Sequence, residues 1–247
     1  MTRRLRLDQL LLERGLAESR ARAQALLLAG VVFSGERRLD KPGTLVADDL
    51  PLEVRDRALP GVSRGGFKLA RGLDVFGIDP AGLVAIDVGA STGGFTDVLL
   101  QRGAARIYAV DVGYGQLADK LRHDARVVVL ERLNARRLGP AEVPEPVDLV
   151  VCDASFISLR LVLPAALALS KPAARLVALI KPQFEVGKGE VGKGGVVRDP
   201  EAHARVCREI GDWLGSLPGW SVDGIAESPI TGPAGNREFL IGATRRP

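Results

Sequence analysis

Asp153 directly follows the apolar run "VDLVVC", and Lys181 directly follows "RLVALI". If both runs are strands of one sheet, a carboxylate and an ammonium reach the same sheet edge, where such a pair can hold, orient or move a proton. A buried structural ion pair is the competing reading. Two further charged residues stand where a core tolerates them only when paired. These are Lys68, in the first turns of the helix read from "SRGGFKLARGL", and Glu238, read as opening the last strand in "GNREFL". Each taken alone is more often a solvated surface residue.

Residues 85–113, "AIDVGASTGGFTDVLLQRGAARIYAVDVG", read as strand, glycine-rich turn, helix and strand. Against the P-loop pattern, Gly89 and Thr96 fit, but Phe95 stands where a lysine must reach the β- and γ-phosphates. The dinucleotide pattern G-x-G-x-x-G fails at its second glycine, because Ser91 would obstruct backbone approach to a pyrophosphate. A ligand without phosphates remains. S-adenosylmethionine suits the stretch, since it joins an adenosine to a zwitterionic amino acid. It calls for close backbone approach at a glycine turn and for a carboxylate on the ribose diol. Asp111, at the end of the next strand, supplies that carboxylate. The residues assigned to this cofactor are Asp87, Gly89, Ser91, Thr92, Gly93, Gly94, Phe95, Asp111, Val112, Asn134 and Asp153. A plain strand-to-helix turn for the glycines and a helix N-cap for Asp111 are the competing readings.

Apolar runs at "LVAIDV", "RIYAV", "RVVVL", "VDLVVCD" and "RLVALI", with helical stretches between them, specify a parallel sheet covered on both faces. "SVDGIAESPI" and "REFLIGAT" are expected to close it as an antiparallel pair. The fold class is therefore α/β, a doubly wound, mostly parallel sheet. In such sheets ligands sit beyond the carboxyl ends of the strands, where Gly89–Phe95, Asp111, Asn134, Asp153 and Lys181 all fall.

The N-terminal stretch has a different pattern. Leu7, Leu10 and Leu11 mark one amphipathic helix over residues 5–14, capped at Gly15. Ala23, Leu26 and Leu27 mark a second, between Ser19 and Gly30. Short strands joined by tight turns follow. The domains read as 1–54, a linker at 55–62 ("RDRALPGV"), and 63–247. Arg3, Arg4, Arg6, Arg14, Arg20 and Arg22 lie off the apolar stripes and can form a basic face, although on charge alone a solvated helix surface is the better explanation of most of them.

The chain of 247 residues is 46% hydrophobic and 26% charged, with a net charge of +4, and is expected to fold as an ordinary globular protein. It has no apolar run of about 18 residues and no secretory signal pattern at its start, so a cytoplasmic protein with no membrane association is expected. Two cysteines and two histidines without ligand spacing argue against a disulfide framework or a metal site. Cys152 is expected in the core, Phe156 in packing, and His123 and His203 at the surface.

Residues 4–46, "RLRLDQLLLERGLAESRARAQALLLAGVVFSGERRLDKPGTLV", resemble the S4 RNA-binding domain. By that resemblance Arg4, Arg6, Arg20, Arg22 and Lys41 face RNA, recognised mostly through backbone and shape. The blocks "SRGGFKL", "DVGASTGGFTDVLL", "VDVGYGQL", "DLVVCDASFISL", "IKPQFEVGKG" and "GNREFL", behind such a domain, are similar to the TlyA family of ribosomal RNA 2′-O-methyltransferases, relatives of the FtsJ enzymes. The resemblance implies a Rossmann-like class I methyltransferase behind a small α+β S4 domain, using S-adenosylmethionine. It also implies a cytidine ribose of 16S or 23S ribosomal RNA, or both, within a ribosomal subunit, as substrate. It places the family's Lys-Asp-Lys-Glu tetrad on Lys68, Asp153, Lys181 and Glu238.

A ribose hydroxyl is a poor nucleophile and a sulfonium methyl an activated one, so positioning and proton removal are what remains for the protein to supply. Lys181 is the candidate base. Lys68 and desolvation would favour its neutral form and Asp153 its charged form, so Asp153 and Glu238 are assigned to orienting the lysines. In the alternative, Lys181 stays charged and aligns the hydroxyl. The glycine-rich stretch after Lys181 carries Lys188, Lys193 and Arg198 and can close on RNA, with Lys188 and Lys193 as contacts. A plain solvated loop is its other reading. Two other functions compete with the enzyme: a non-catalytic RNA-binding factor and a membrane-lytic protein.

Overall fold

The computed structural model describes residues 3–17, 20, 23, 26–27, 32–39, 41–54, 62–232 and 234–246. The chain forms two compact units, 1–64 and 65–247. Ser19, Arg22, Gly30 and nearly all of the expected linker lie outside the described residues, as does the Lys188 side chain.

In the first unit, β1 (Arg4–Arg6) pairs antiparallel with β4 (Leu45–Ala47). The first helix therefore begins at Leu7 and runs to Glu13, rather than starting at residue 5, because residues 4–6 spend their backbone hydrogen bonds on the ladder. Gly15, at φ +66°, follows it in the left-handed conformation. β2 (Val32–Ser34) pairs with β3 (Arg37–Leu39) on one side and β5 (Glu53–Val54) on the other. Leu7, Leu10, Leu11, Ala23, Leu26 and Leu27 are buried together with Val32 and Leu39, as the two stripes require.

The second unit is built on β6 (Val84–Val88), β7 (Arg106–Val110), β8 (Val127–Leu130), β9 (Val147–Cys152), β10 (Ser170–Ile180), β11 (Trp220–Glu227) and β12 (Phe239–Arg245). They form one seven-stranded sheet in the order β11-β12-β10-β9-β6-β7-β8. The five strands from β6 to β10 are mutually parallel, and β12 and β11 run antiparallel at one end. The chain moves outward through β7 and β8, then crosses back to lay β9 on the other side of β6. That reversal places a crevice beyond the carboxyl ends of β6 and β9. The antiparallel β12 begins opposite the end of β10, with Phe239 paired to Ile180. Glu238 thereby arrives at the same sheet edge as Lys181.

The helix Gly65–Val75, which carries Lys68, lies directly against β10 and β12. A Cβ at Gly72 would stand 2.6 Å from Val177 Cγ1 and 3.4 Å from Leu240 Cδ2. Gly72→Ala should therefore displace the helix and cost about 1–3 kcal/mol of stability in chemical denaturation. Adding Val177→Ala should recover much of the loss, and an unchanged denaturation midpoint for Gly72→Ala would contradict this packing.

Candidate functional site

Lys68, Asp153, Lys181 and Glu238 meet at the crevice edge of the sheet. Lys181 Nζ lies 2.6 Å from Asp153 Oδ1, and Lys68 Nζ lies 3.5 Å from Asp153 Oδ2 and 2.6 Å from Glu238 Oε2. The four charges alternate along a chain, with two cations and two anions. Glu238 is 1% exposed, Lys68 5% and Lys181 6%. At that burial each unpaired charge would be costly, so the alternation is what allows the four to coexist. The two lysines share the carboxylate of Asp153, one on each oxygen.

Lys181 has two more partners: the carbonyl oxygen of Asp153 at 3.2 Å and Ser155 Oγ at 2.9 Å. Ser155 was missed in the sequence, where a loop serine carries no distinguishing signal. The loops bearing Asp153 and Lys181 are joined by Glu185, which accepts from Ser158 Oγ at 2.6 Å and from the Leu159 amide at 2.8 Å. Burial raises this carboxyl above its usual range, opposed by those two hydrogen bonds. Phe156, expected in packing, is instead 90% exposed at φ +65°, with its ring centroid 5.1 Å from that of Phe184. His203, expected at the surface, is buried. Its Nε2 lies 2.9 Å from the Val197 carbonyl, and its ring is beside Phe239. His123 is exposed. Burial pushes the Cys152 thiol up to about 12, so this core residue supplies no thiolate near neutral pH.

The glycine turn packs against the protein itself. Gly89 has φ +83°, and a Cβ there would lie 3.0 Å from Ala154 Cα. Gly93 has φ +96°, and a Cβ would meet Leu121 Cδ1 at 2.2 Å. Asp87, Gly93, Gly94 and Phe95 are buried, whereas Ser91, Thr92 and Asn134 are exposed. Asp111 accepts from the Ser91 amide at 2.8 Å and the Gly113 amide at 2.7 Å. It thus fixes the turn while keeping lone pairs for further donors. Val112 and Tyr114, 74% and 68% exposed, lie just beyond it, with the Arg132 guanidinium 4.0 Å from the Tyr114 ring centroid. Asn134 caps a short 3-10 helix by accepting from the Arg136 amide.

In the first unit, the fully buried Asp8 pairs with Arg6 and Arg20 at 3.0 and 3.1 Å. Both arginines therefore serve the fold, while their side chains stay 43% and 58% exposed. Arg4 donates to the Leu45 carbonyl, and Lys41 is exposed. Lys193 and Arg198 are exposed on the glycine-rich loop after Lys181. That loop is tied down at one end by Asn236, which accepts from the Val197 amide and donates to the Gly195 carbonyl.

Asp87, behind the glycine turn, accepts from Thr96 Oγ1 at 2.7 Å and has no partner for its other oxygen among the described residues. Burial raises its pKa from 3.8 to about 7, with the Thr96 bond opposing. Between these values the native state holds a proton that the unfolded chain has lost, so stability falls as pH rises through the window. The span corresponds to at most about 4 kcal/mol. Asp87→Asn should flatten the slope of denaturation midpoint against pH between about 4 and 7, whereas an unaltered slope would contradict the assignment.

The family model of the FtsJ-like methyltransferase matches residues 61–245, and that of the S4 domain matches residues 5–49. The chain is 51% identical over 242 residues to 16S/23S rRNA (cytidine-2′-O)-methyltransferase TlyA of Mycobacterium tuberculosis, covering 98% of this chain and 90% of the relative. It is 38% identical over 240 residues to Hemolysin A of Brachyspira hyodysenteriae, covering 96% and 98% respectively. A solved structure from Streptococcus thermophilus, described as a candidate hemolysin, superposes with a TM-score of 0.77 at 40% identity. It spans all of this chain and 90% of its own.

Proposed function

Since the chain belongs to the FtsJ-like methyltransferase family and carries an S4 domain, we propose that it methylates the 2′-hydroxyl of a cytidine in ribosomal RNA. The reading takes 16S or 23S RNA, or both, within a ribosomal subunit as substrate, S-adenosylmethionine as methyl donor and the cytoplasm as the site of action. The observation that carries it is the buried Lys68-Asp153-Lys181-Glu238 chain at the same sheet edge as the glycine turn. The relative at 51% identity bears the name of this activity.

The crevice suits the donor by the chemistry of its rim. Asp111 offers a carboxylate to a ribose diol, and the exposed Val112 offers an apolar surface to a heterocycle. Gly89, Ser91, Thr92, Asn134 and Asp153 line the remaining approach, with Asp87, Gly93, Gly94 and Phe95 supporting the turn from within. When bound, the donor supplies an electrophilic methyl on a sulfonium centre. Lys181 is the base in this reading, Asp153 orients it, and Lys68 and Glu238 hold Asp153 in place.

The exposed ring of Phe156, beside Asp153, offers a face on which an unstacked base can rest. Reaching a ribose inside folded RNA in turn calls for an extruded nucleotide. Arg4, Arg6, Arg20, Arg22 and Lys41 in the first unit, with Lys188 and Lys193 on the glycine-rich loop, are the proposed RNA contacts. Because Arg6 and Arg20 also neutralise Asp8, loss of either is expected to weaken the unit as well as its RNA affinity. The membrane-lytic alternative gains nothing here, since no helix among the described residues is long and apolar enough to cross a membrane.

Lys181→Ala is expected to reduce methyl transfer to ribosomal subunits by at least about 100-fold, the usual scale of a general base. Donor binding by calorimetry should stay measurable. Full activity in this variant would remove Lys181 from the chemistry, and donor binding abolished along with transfer would assign it to the cofactor.

A further inference from the structure

Resting on the methyltransferase reading above, the geometry points to Ser155 as a catalytic proton relay between the ribose hydroxyl and Lys181. The Lys181 amine meets three oxygen atoms. Asp153 Oδ1 at 2.6 Å and the Asp153 carbonyl at 3.2 Å can only accept hydrogen bonds. Ser155 Oγ at 2.9 Å can accept or donate. A protonated Lys181 donates to the Asp153 carbonyl and to Ser155 Oγ, while Asp153 Oδ1 meets it as an ion pair without hydrogen-bond geometry. A neutral Lys181 has two hydrogens and one lone pair, and neither Asp153 atom can donate to that lone pair. The lone pair is repelled by both Asp153 oxygens and so faces Ser155, which turns its own hydrogen toward the nitrogen.

Accessibility leads to the same residue. The Lys181 side chain is 8% exposed, so little of it can meet an incoming sugar directly. Ser155 is exposed on the loop that also presents Phe156. Its oxygen keeps a lone pair on the open side once its hydrogen is committed to Lys181.

The ribose oxygen forms its bond to the methyl carbon of the sulfonium donor while the carbon–sulfur bond breaks, leaving its electron pair on sulfur. The ribose proton passes to Ser155 Oγ as the serine's own proton passes to Lys181 Nζ. Sulfonium, alcohol and amine become thioether, methyl ether and ammonium, and Ser155 ends as the hydroxyl it began as.

The test is single-turnover methylation of ribosomal subunits by the full chain, comparing wild type, Ser155→Ala, Ser155→Thr and Lys181→Ala. Ser155→Ala should slow the chemical step by about 100-fold with donor affinity unchanged, and Ser155→Thr, which keeps the hydroxyl, should recover most of the rate. In mixtures of light and heavy water the wild-type rate should bend with deuterium fraction, because two protons move. Active wild type with an inactive Lys181→Ala and an unaffected Ser155→Ala would overturn the relay alone, as would a linear deuterium dependence in the wild type. No transfer by the wild type would overturn the methyltransferase reading and the relay with it, whereas full activity of Lys181→Ala would remove Lys181 as the base and overturn the relay while leaving methyl transfer standing.

Discussion

The alternation of charge along Lys181, Asp153, Lys68 and Glu238 is the constraint on which the second unit is organised. Two cations and two anions are held at a sheet edge, with Lys68, Lys181 and Glu238 buried and Asp153 partly exposed. Removing one partner from a buried pair leaves an uncompensated charge, typically at a cost of about 3–5 kcal/mol. The elements that deliver them are therefore coupled. β9 and β10 run parallel and end side by side, giving Asp153 and Lys181. β12 is antiparallel, so its start lies against the end of β10 and brings Glu238 there. Gly72 lets the helix bearing Lys68 sit down on the same two strands.

This arrangement divides labour between interior and rim. The glycines of the turn are explained by the protein's own packing, Gly89 against Ala154 and Gly93 against Leu121. Ser91, Thr92 and Val112 are exposed at the crevice rim beside Asp111, and these are the residues to which the proposed function gives the cofactor contacts. Asp111 fixes the turn through two amides rather than capping a helix, as the competing reading of the sequence had it, and it still has acceptor capacity.

Much of this was legible in the sequence because it rests on local rules. Continuous Val, Ile and Leu runs mark buried parallel strands, and the residue after each run marks the functional edge. Asp153 and Lys181 follow from that rule alone, whereas Lys68 and Glu238 required a family resemblance, since nothing local separates them from surface charges. The first strand, Arg4–Arg6, was hidden because its partner lies about forty residues away and its pattern merges with the helix behind it. Phe156 and His203 were misplaced because hydrophobicity and polarity describe tendencies. A left-handed loop turns the first outward, and a carbonyl inside the fold holds the second. Ser155 and Glu185 carry their meaning only through loop-to-loop contacts that no spacing encodes.

The central claim is that this buried charge chain serves methyl transfer to a ribose of ribosomal RNA. Mass-spectrometric mapping of ribose methyl groups on both ribosomal RNAs, from cells with and without the gene, tests it most directly. The account predicts that at least one 2′-O-methylcytidine disappears with the gene and returns when it is restored. Identical methylation maps in the two cell types would contradict it.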